Sequence, residues 1–170
     1  NSADGVFLVQ IRVDNPPATL QSNTVRVKAA LAAPGIFNIP WTRREQAVAV
    51  LAGTTSFAAP AQSGELFEDA RPAKIGEIVE VYVAGLGPIT NRPPTGYAAL
   101  VSPLSITELP VTATIGGIPA EVTFAGLAPG MSGVYQVNIR VPLLENGGTA
   151  VSLVVFVEGS PSNTATIAVQ

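Results

Sequence analysis

Residues 5–13 read GVFLVQIRV and residues 133–141 read GVYQVNIRV, one order of glycine, valine, aromatic, then Val, Ile, Arg and Val, set 128 positions apart. In the first, Phe7, Val9, Ile11 and Val13 share one side of an extended chain, while Leu8, Gln10 and Arg12 share the other. In the second, Tyr135, Val137, Ile139 and Val141 take the same places. A period of two is that of a strand with one buried face. The recurrence marks an internal repeat. Ser22-Asn23-Thr24 begins nine residues after Val13, and Ser162-Asn163-Thr164 begins twenty-one after Val141, so the first copy is twelve residues the shorter. The additional stretch, residues 149–158 (TAVSLVVFVE), is itself a strand pattern. The amino-terminal copy is therefore expected to lack one strand and to need a partner.

Outward from this repeat, strand patterns fall at residues 25–29, 47–51, 78–83, 111–115, 120–125, 150–157 and 164–169. Apolar residues seldom recur at helical spacing, and fifteen prolines with sixteen glycines break the chain every few positions. Gly116-Gly117 predicts a tight hairpin, Asn146-Gly147 a turn, and Pro142 the end of a strand. Residues 54–73 and 85–110 read as long loops. Seven strands from Ala47 onward predict an all-β, immunoglobulin-like β-sandwich over residues 34–170. Residues 1–33 form an additional N-terminal strand pair, a partial repeat available for donation to a neighbour.

Composition narrows the function. A chain of 170 residues holds one good-sized core and an accessory piece. Hydrophobic residues make up 47% against 12% charged, so much of this surface must be buried in the fold or against neighbours. Every apolar run is interrupted well before the eighteen or so residues of a membrane span. The basic residues are scattered, Arg43 and Arg44 being the only adjacent pair, which leaves no stripe for nucleic acid. Cysteine is absent, so disulfides and thiolate chemistry are excluded. A start at Asn1 without methionine is read as a processed mature chain or an excised fragment, consistent with export.

Five sequence words occur in order: Ala33-Pro34-Gly35-Ile36-Phe37; Ala84-Gly85-Leu86-Gly87-Pro88; Ile115-Gly116-Gly117 with Pro119-Ala120-Glu121-Val122; Ala125-Gly126-Leu127-Ala128-Pro129-Gly130; and Tyr135-Gln136-Val137-Asn138 through Val141-Pro142. Together they resemble the uncharacterised carboxy-terminal domain of the Solibacter paralogous family, over residues 33–170. The resemblance implies an extracellular, Ig-like module of exported acidobacterial proteins. It supplies no catalytic or binding residues. The departure lies at the front, where the longer upstream module of the family is reduced to two strands.

Candidate sites are few. Histidine is absent, which removes Ser-His-Asp triads and imidazole ligands. Glu65, Glu68 and Asp69 cluster in a loop and offer oxygen ligands to Ca²⁺, but without the spacing of a calcium loop they read as solvated charges. Glu77, Glu80 and Glu121 offer a glycosidase-type carboxylate pair, yet their strand positions read as outward-facing charges. Gly85-Leu86-Gly87-Pro88 lacks the Lys and Ser/Thr of a phosphate loop. Trp41, with Phe37, Phe57, Phe67 and Tyr97, is a candidate glycan contact set against ordinary core packing. Lys28 and Lys74 are the two lysines available to a Lys–Asn amide cross-link.

The resulting expectation is a non-enzymatic protein of the cell surface without catalytic residues, metal or cofactor. Phe7, Val9, Ile11 and Val13 would carry self-assembly into a homopolymer by β-strand addition. The alternatives are a monomeric spacer, or an adhesion module that binds glycan through Trp41.

Overall fold

The computed structural model describes residues 5–15, 18–39, 45–61 and 69–170. Glycine and proline breaks divide them into fourteen strands, with no helix among the described residues. In chain order these are β1 (Gly5–Val9), β2 (Arg12–Asn15), β3 (Ala18–Gln21), β4 (Val25–Ala29), β5 (Gly35–Ile36), β6 (Ala49–Leu51), β7 (Ile78–Ala84), β8 (Val111–Ile115), β9 (Ile118–Ala120), β10 (Val122–Leu127), β11 (Tyr135–Arg140), β12 (Gly148–Val157), β13 (Ser160–Pro161) and β14 (Ala165–Val169). Contacts divide the chain into two units, Asn1–Leu31 and Ala32–Gln170.

The larger unit holds two antiparallel sheets. One runs β10–β11–β7–β5, with β6 also on β7; the other runs β13–β12–β8–β9, with β14 also on β12. Period-two alternation explains how they face each other. Val79, Val81 and Val83 of β7, with Val137 and Ile139 of β11, share one core with Ala113 and Ile115 of β8, Leu153, Val155 and Val157 of β12, and Ala165 and Ile167 of β14. This is the build of a β-sandwich, and each fully buried aliphatic side chain stabilises it by about 1.5–3 kcal/mol. Short parallel bridges from Gln46 to Thr166 and from Ala73 to Val169 run along β14. Gln46 is buried there because its side-chain amide donates to the Ala58 carbonyl at 3.2 Å.

Turn chemistry acts where it was expected. Gly116 and Gly117, at φ 62° and 78°, form the two-residue loop between Ile115 and Ile118, which pair directly. The strand count differs from seven: nine strands follow Ala47, because the pattern at residues 120–125 splits into β9 and β10, with a register shift between Val122 and Phe124, and because Ser160–Pro161 adds the short β13.

The smaller unit is also more divided than two strands. Residues 6–13 break after Val9, so β1 pairs with β4 and β2 with β3, as two short antiparallel ladders. No helix among the described residues is long and apolar enough to cross a membrane.

Candidate functional site

Val9 opposes Val25, Phe7 opposes Val27, and Val13 opposes Leu20, so side-chain alternation sets these six residues on one face with Ile11. All are exposed, from 44% at Val27 to 66% at Ile11 and Leu20. The opposite face carries Leu8 opposite Arg26, Val6 opposite Lys28 and Arg12 opposite Gln21, and Arg12 pairs with Asp14 at 2.8 Å. One face is thus continuous hydrocarbon and the other mixed. An exposed apolar strand face beside an open edge is a surface that other strands can join.

The hydrogen bonding of this unit has a counterpart within the sandwich. The Ile11 amide donates to the Ser22 hydroxyl at 3.0 Å, the Ser22 hydroxyl donates to the Asn23 carbonyl at 2.8 Å, and the Ser22 amide donates to the Ile11 carbonyl at 2.9 Å. At the other end of the chain, Val155, Ser162 and Asn163 make the same three bonds at 3.1, 2.7 and 2.8 Å. The strand registers agree as well. Val9 opposes Val25 as Leu153 opposes Ala165, Phe7 opposes Val27 as Val151 opposes Ile167, and Arg12 opposes Gln21 as Phe156 opposes Pro161. The agreement ends at the register shift between Gly148 and Val151, beyond which Gly148 meets Val169 one position out of step with Gly5 and Ala29.

Residues 5–13 therefore occupy the place of β12, not that of residues 133–141 in β11. This corrects the sequence alignment, and with it the missing strand. Residues 5–13 share the composition of β11, and Ser22-Asn23-Thr24 with its partners sets the true register.

The remaining candidates have structural roles or fall outside the description. Glu77 receives two bonds from the Arg71 guanidinium, both at 2.9 Å, and one from the Lys74 amide at 2.8 Å. Arg71 foremost, then the Lys74 amide, lowers its pKa to about 2, which suits a tether and not a proton donor near neutrality. Glu121 is paired with Arg140 at 2.8 Å. Gly85-Leu86-Gly87-Pro88 is a docking turn: Leu86 is fully buried, and the Ala33 amide donates to the Gly85 carbonyl at 2.8 Å. Trp41, Glu65, Phe67 and Glu68 lie outside the described residues, and no group of three or more acidic ligands forms among those described.

Of a second set of exposed apolar residues, the sequence singled out Tyr97 alone. Tyr97, Leu100, Val101 and Leu104 lie in the loop that follows β7, and Met131 is brought to them by bonds from the Ala99 amide to the Met131 carbonyl and from the Gly130 amide to the Ala99 carbonyl, both 2.9 Å. The signal was the run YAALVSPL at residues 97–104, apolar residues within a proline-rich loop. Comparison with known proteins adds no assignment: no family model, curated protein or solved structure matches the chain.

Proposed function

We propose that this chain is a non-enzymatic, extracellular structural module, an Ig-like sandwich that assembles into a surface fibre by β-strand addition through its amino-terminal unit. The observation that carries this reading is the exposed face of Phe7, Val9, Ile11, Val13, Leu20, Val25 and Val27. Such a face in water favours burial at about 25 cal/mol per Å² of apolar surface removed. Strand addition supplies main-chain hydrogen bonds to the ladder edge at the same time. Head-to-tail addition that does not close propagates as a filament.

Support for the Ig-like reading comes from strand order. The path β5–β7–β11–β10 in one sheet and β8–β12–β14 in the other corresponds to the two-sheet order of constant-type Ig domains. The cell-surface location rests on the family resemblance and on the apolar, weakly charged composition. Electron microscopy of the full chain beside Ile11→Asp tests the proposal. Filaments from the parent and single particles from the variant support it; single particles from both reject it.

The loop patch favours a second reading, an adhesion module that binds an apolar or aromatic-stacking ligand, glycan included, through Tyr97, Val101 and Met131. Binding on a glycan array that disappears with Tyr97→Ser would select this reading over the first.

A further inference from the structure

We infer that the partner of the amino-terminal unit is a sandwich body of this chain's own build, equivalent to residues 32–147, lying on the amino-terminal side of β1 and closed by β1–β4 as its last hairpin. The inference rests on the reading of this unit as a strand-addition surface, and it names what the surface joins.

Four features argue for that partner. The registers and the Ser22 bonds place β1–β2, β3 and β4 in the roles of β12, β13 and β14. The side chains fit the same space. Val9, Ile11, Val13, Val25 and Val27 stand where Leu153, Val155, Val157, Ala165 and Ile167 stand, and the two sets have nearly the same total volume. Cores accept such redistribution when total volume and patterning are kept. Yet the first five are exposed and the second five are buried to 1% or less.

The edge fits too. In the sandwich, β12 offers its second edge to β8, with Leu153 opposite Ile115 and Val155 opposite Ala113. The matching edge at Val9 and Ile11 carries no strand among the described residues, where each of the two ladders is two-stranded. A body of the same build supplies the counterpart of β8 to that edge and the counterparts of Val79, Val81 and Val83 to the face.

Asn23 completes the match. Its counterpart Asn163 holds β5 from across the sandwich, accepting from the Ile36 amide at 2.8 Å and donating to the Ile36 carbonyl at 3.2 Å. Exposed Asn23 stands ready to make that clamp on the partner's first strand. Residues 32–147 of this chain are already closed by β12 and β14, so the body that β1–β4 closes is a further one of the same build.

The test places a second copy of residues 32–147 directly ahead of Asn1 of the full chain. The added body then precedes β1 as the native one precedes β12, with the connection lengthened only by residues 1–4, a small entropic cost. Hydrogen exchange is compared with the unextended chain at a dilution where the latter is monomeric. The amides of Val9, Ile11, Val25 and Val27 should slow by at least about a thousandfold, as for a cooperative core. The slowing should be lost in Ile11→Asp, weakened in Asn23→Ala, and kept in Leu8→Asp, whose counterpart Ser152 faces away from the core. Unchanged exchange at these amides, with β12 and β14 still protected, overturns the inference. If Ile11→Asp nonetheless disperses filaments of the unextended chain, strand addition stands and its partner is a different surface.

Discussion

Ile11 donates its amide to the Ser22 hydroxyl at 3.0 Å across a ladder whose apolar face is open to water. The same bond, from Val155 to Ser162 at 3.1 Å, sits on a ladder whose apolar face is fully packed. One local device thus serves two environments, and the difference between them is the missing opposite layer of a sandwich.

Ser162→Ala should remove a bond within the cooperative sandwich, costing about 1 kcal/mol and lowering Tm by roughly 2–4 °C. Ser22→Ala should leave that transition unchanged, because its ladder belongs to the other unit. Differential scanning calorimetry of the two variants checks both outcomes; equal losses would show that the units melt together.

The Arg71–Glu77 pair gives the sandwich an acid-sensitive tether. Arg71, then the Lys74 amide, lowers the Glu77 pKa from 4.5 to about 2 in the folded chain. A carboxylate depressed on folding stabilises above its unfolded pKa and loses that contribution as pH falls through the folded value. Stability should therefore decline between about pH 4.5 and about pH 2. Both side chains are near one-third exposed, so solvent screening keeps the contribution below about 1 kcal/mol. Urea midpoints measured across that window should fall for the parent, and fall less for Glu77→Gln.

Gly85→Ala should be among the most damaging single changes. The residue sits at φ +74°, and a Cβ there would stand 2.0 Å from the Ala33 carbonyl oxygen. Relief requires breaking the docking of Ala33 on the β7 exit, for a loss of about 2 kcal/mol or more. Gly117→Ala, at φ +78° with open space around its Cβ, should cost only about 1 kcal/mol. Chemical denaturation of the pair separates clash from conformational strain.

Much of the architecture is legible in the sequence because two signals are local. Alternation identifies β7, β11, β12 and β14 within one or two residues, and Gly116-Gly117 specifies its own hairpin. What escaped depends on registry between distant strands. Residues 5–13 resemble β11 in composition and match β12 in pairing, since aliphatic residues recur at alternate positions of both strands. The apolar face of Phe7, Val9, Ile11 and Val13 was readable from periodicity, whereas its extension to Leu20, Val25 and Val27 needed the ladder partners. Tyr97 was readable as a candidate contact, whereas its meeting with Met131 depends on backbone bonds between two loops that no sequence period encodes.

Sedimentation velocity of the full chain over a concentration series, beside Val9→Asp, Ile11→Asp and Leu8→Asp, tests most directly that the amino-terminal face is a joining surface. The account predicts concentration-dependent association of the parent and of Leu8→Asp. Val9→Asp and Ile11→Asp should stay monomeric, with the sandwich transition intact, since burying an unpaired carboxylate costs several kcal/mol. A parent that remains monomeric at every concentration, or association untouched by charge at Val9 and Ile11, would contradict it.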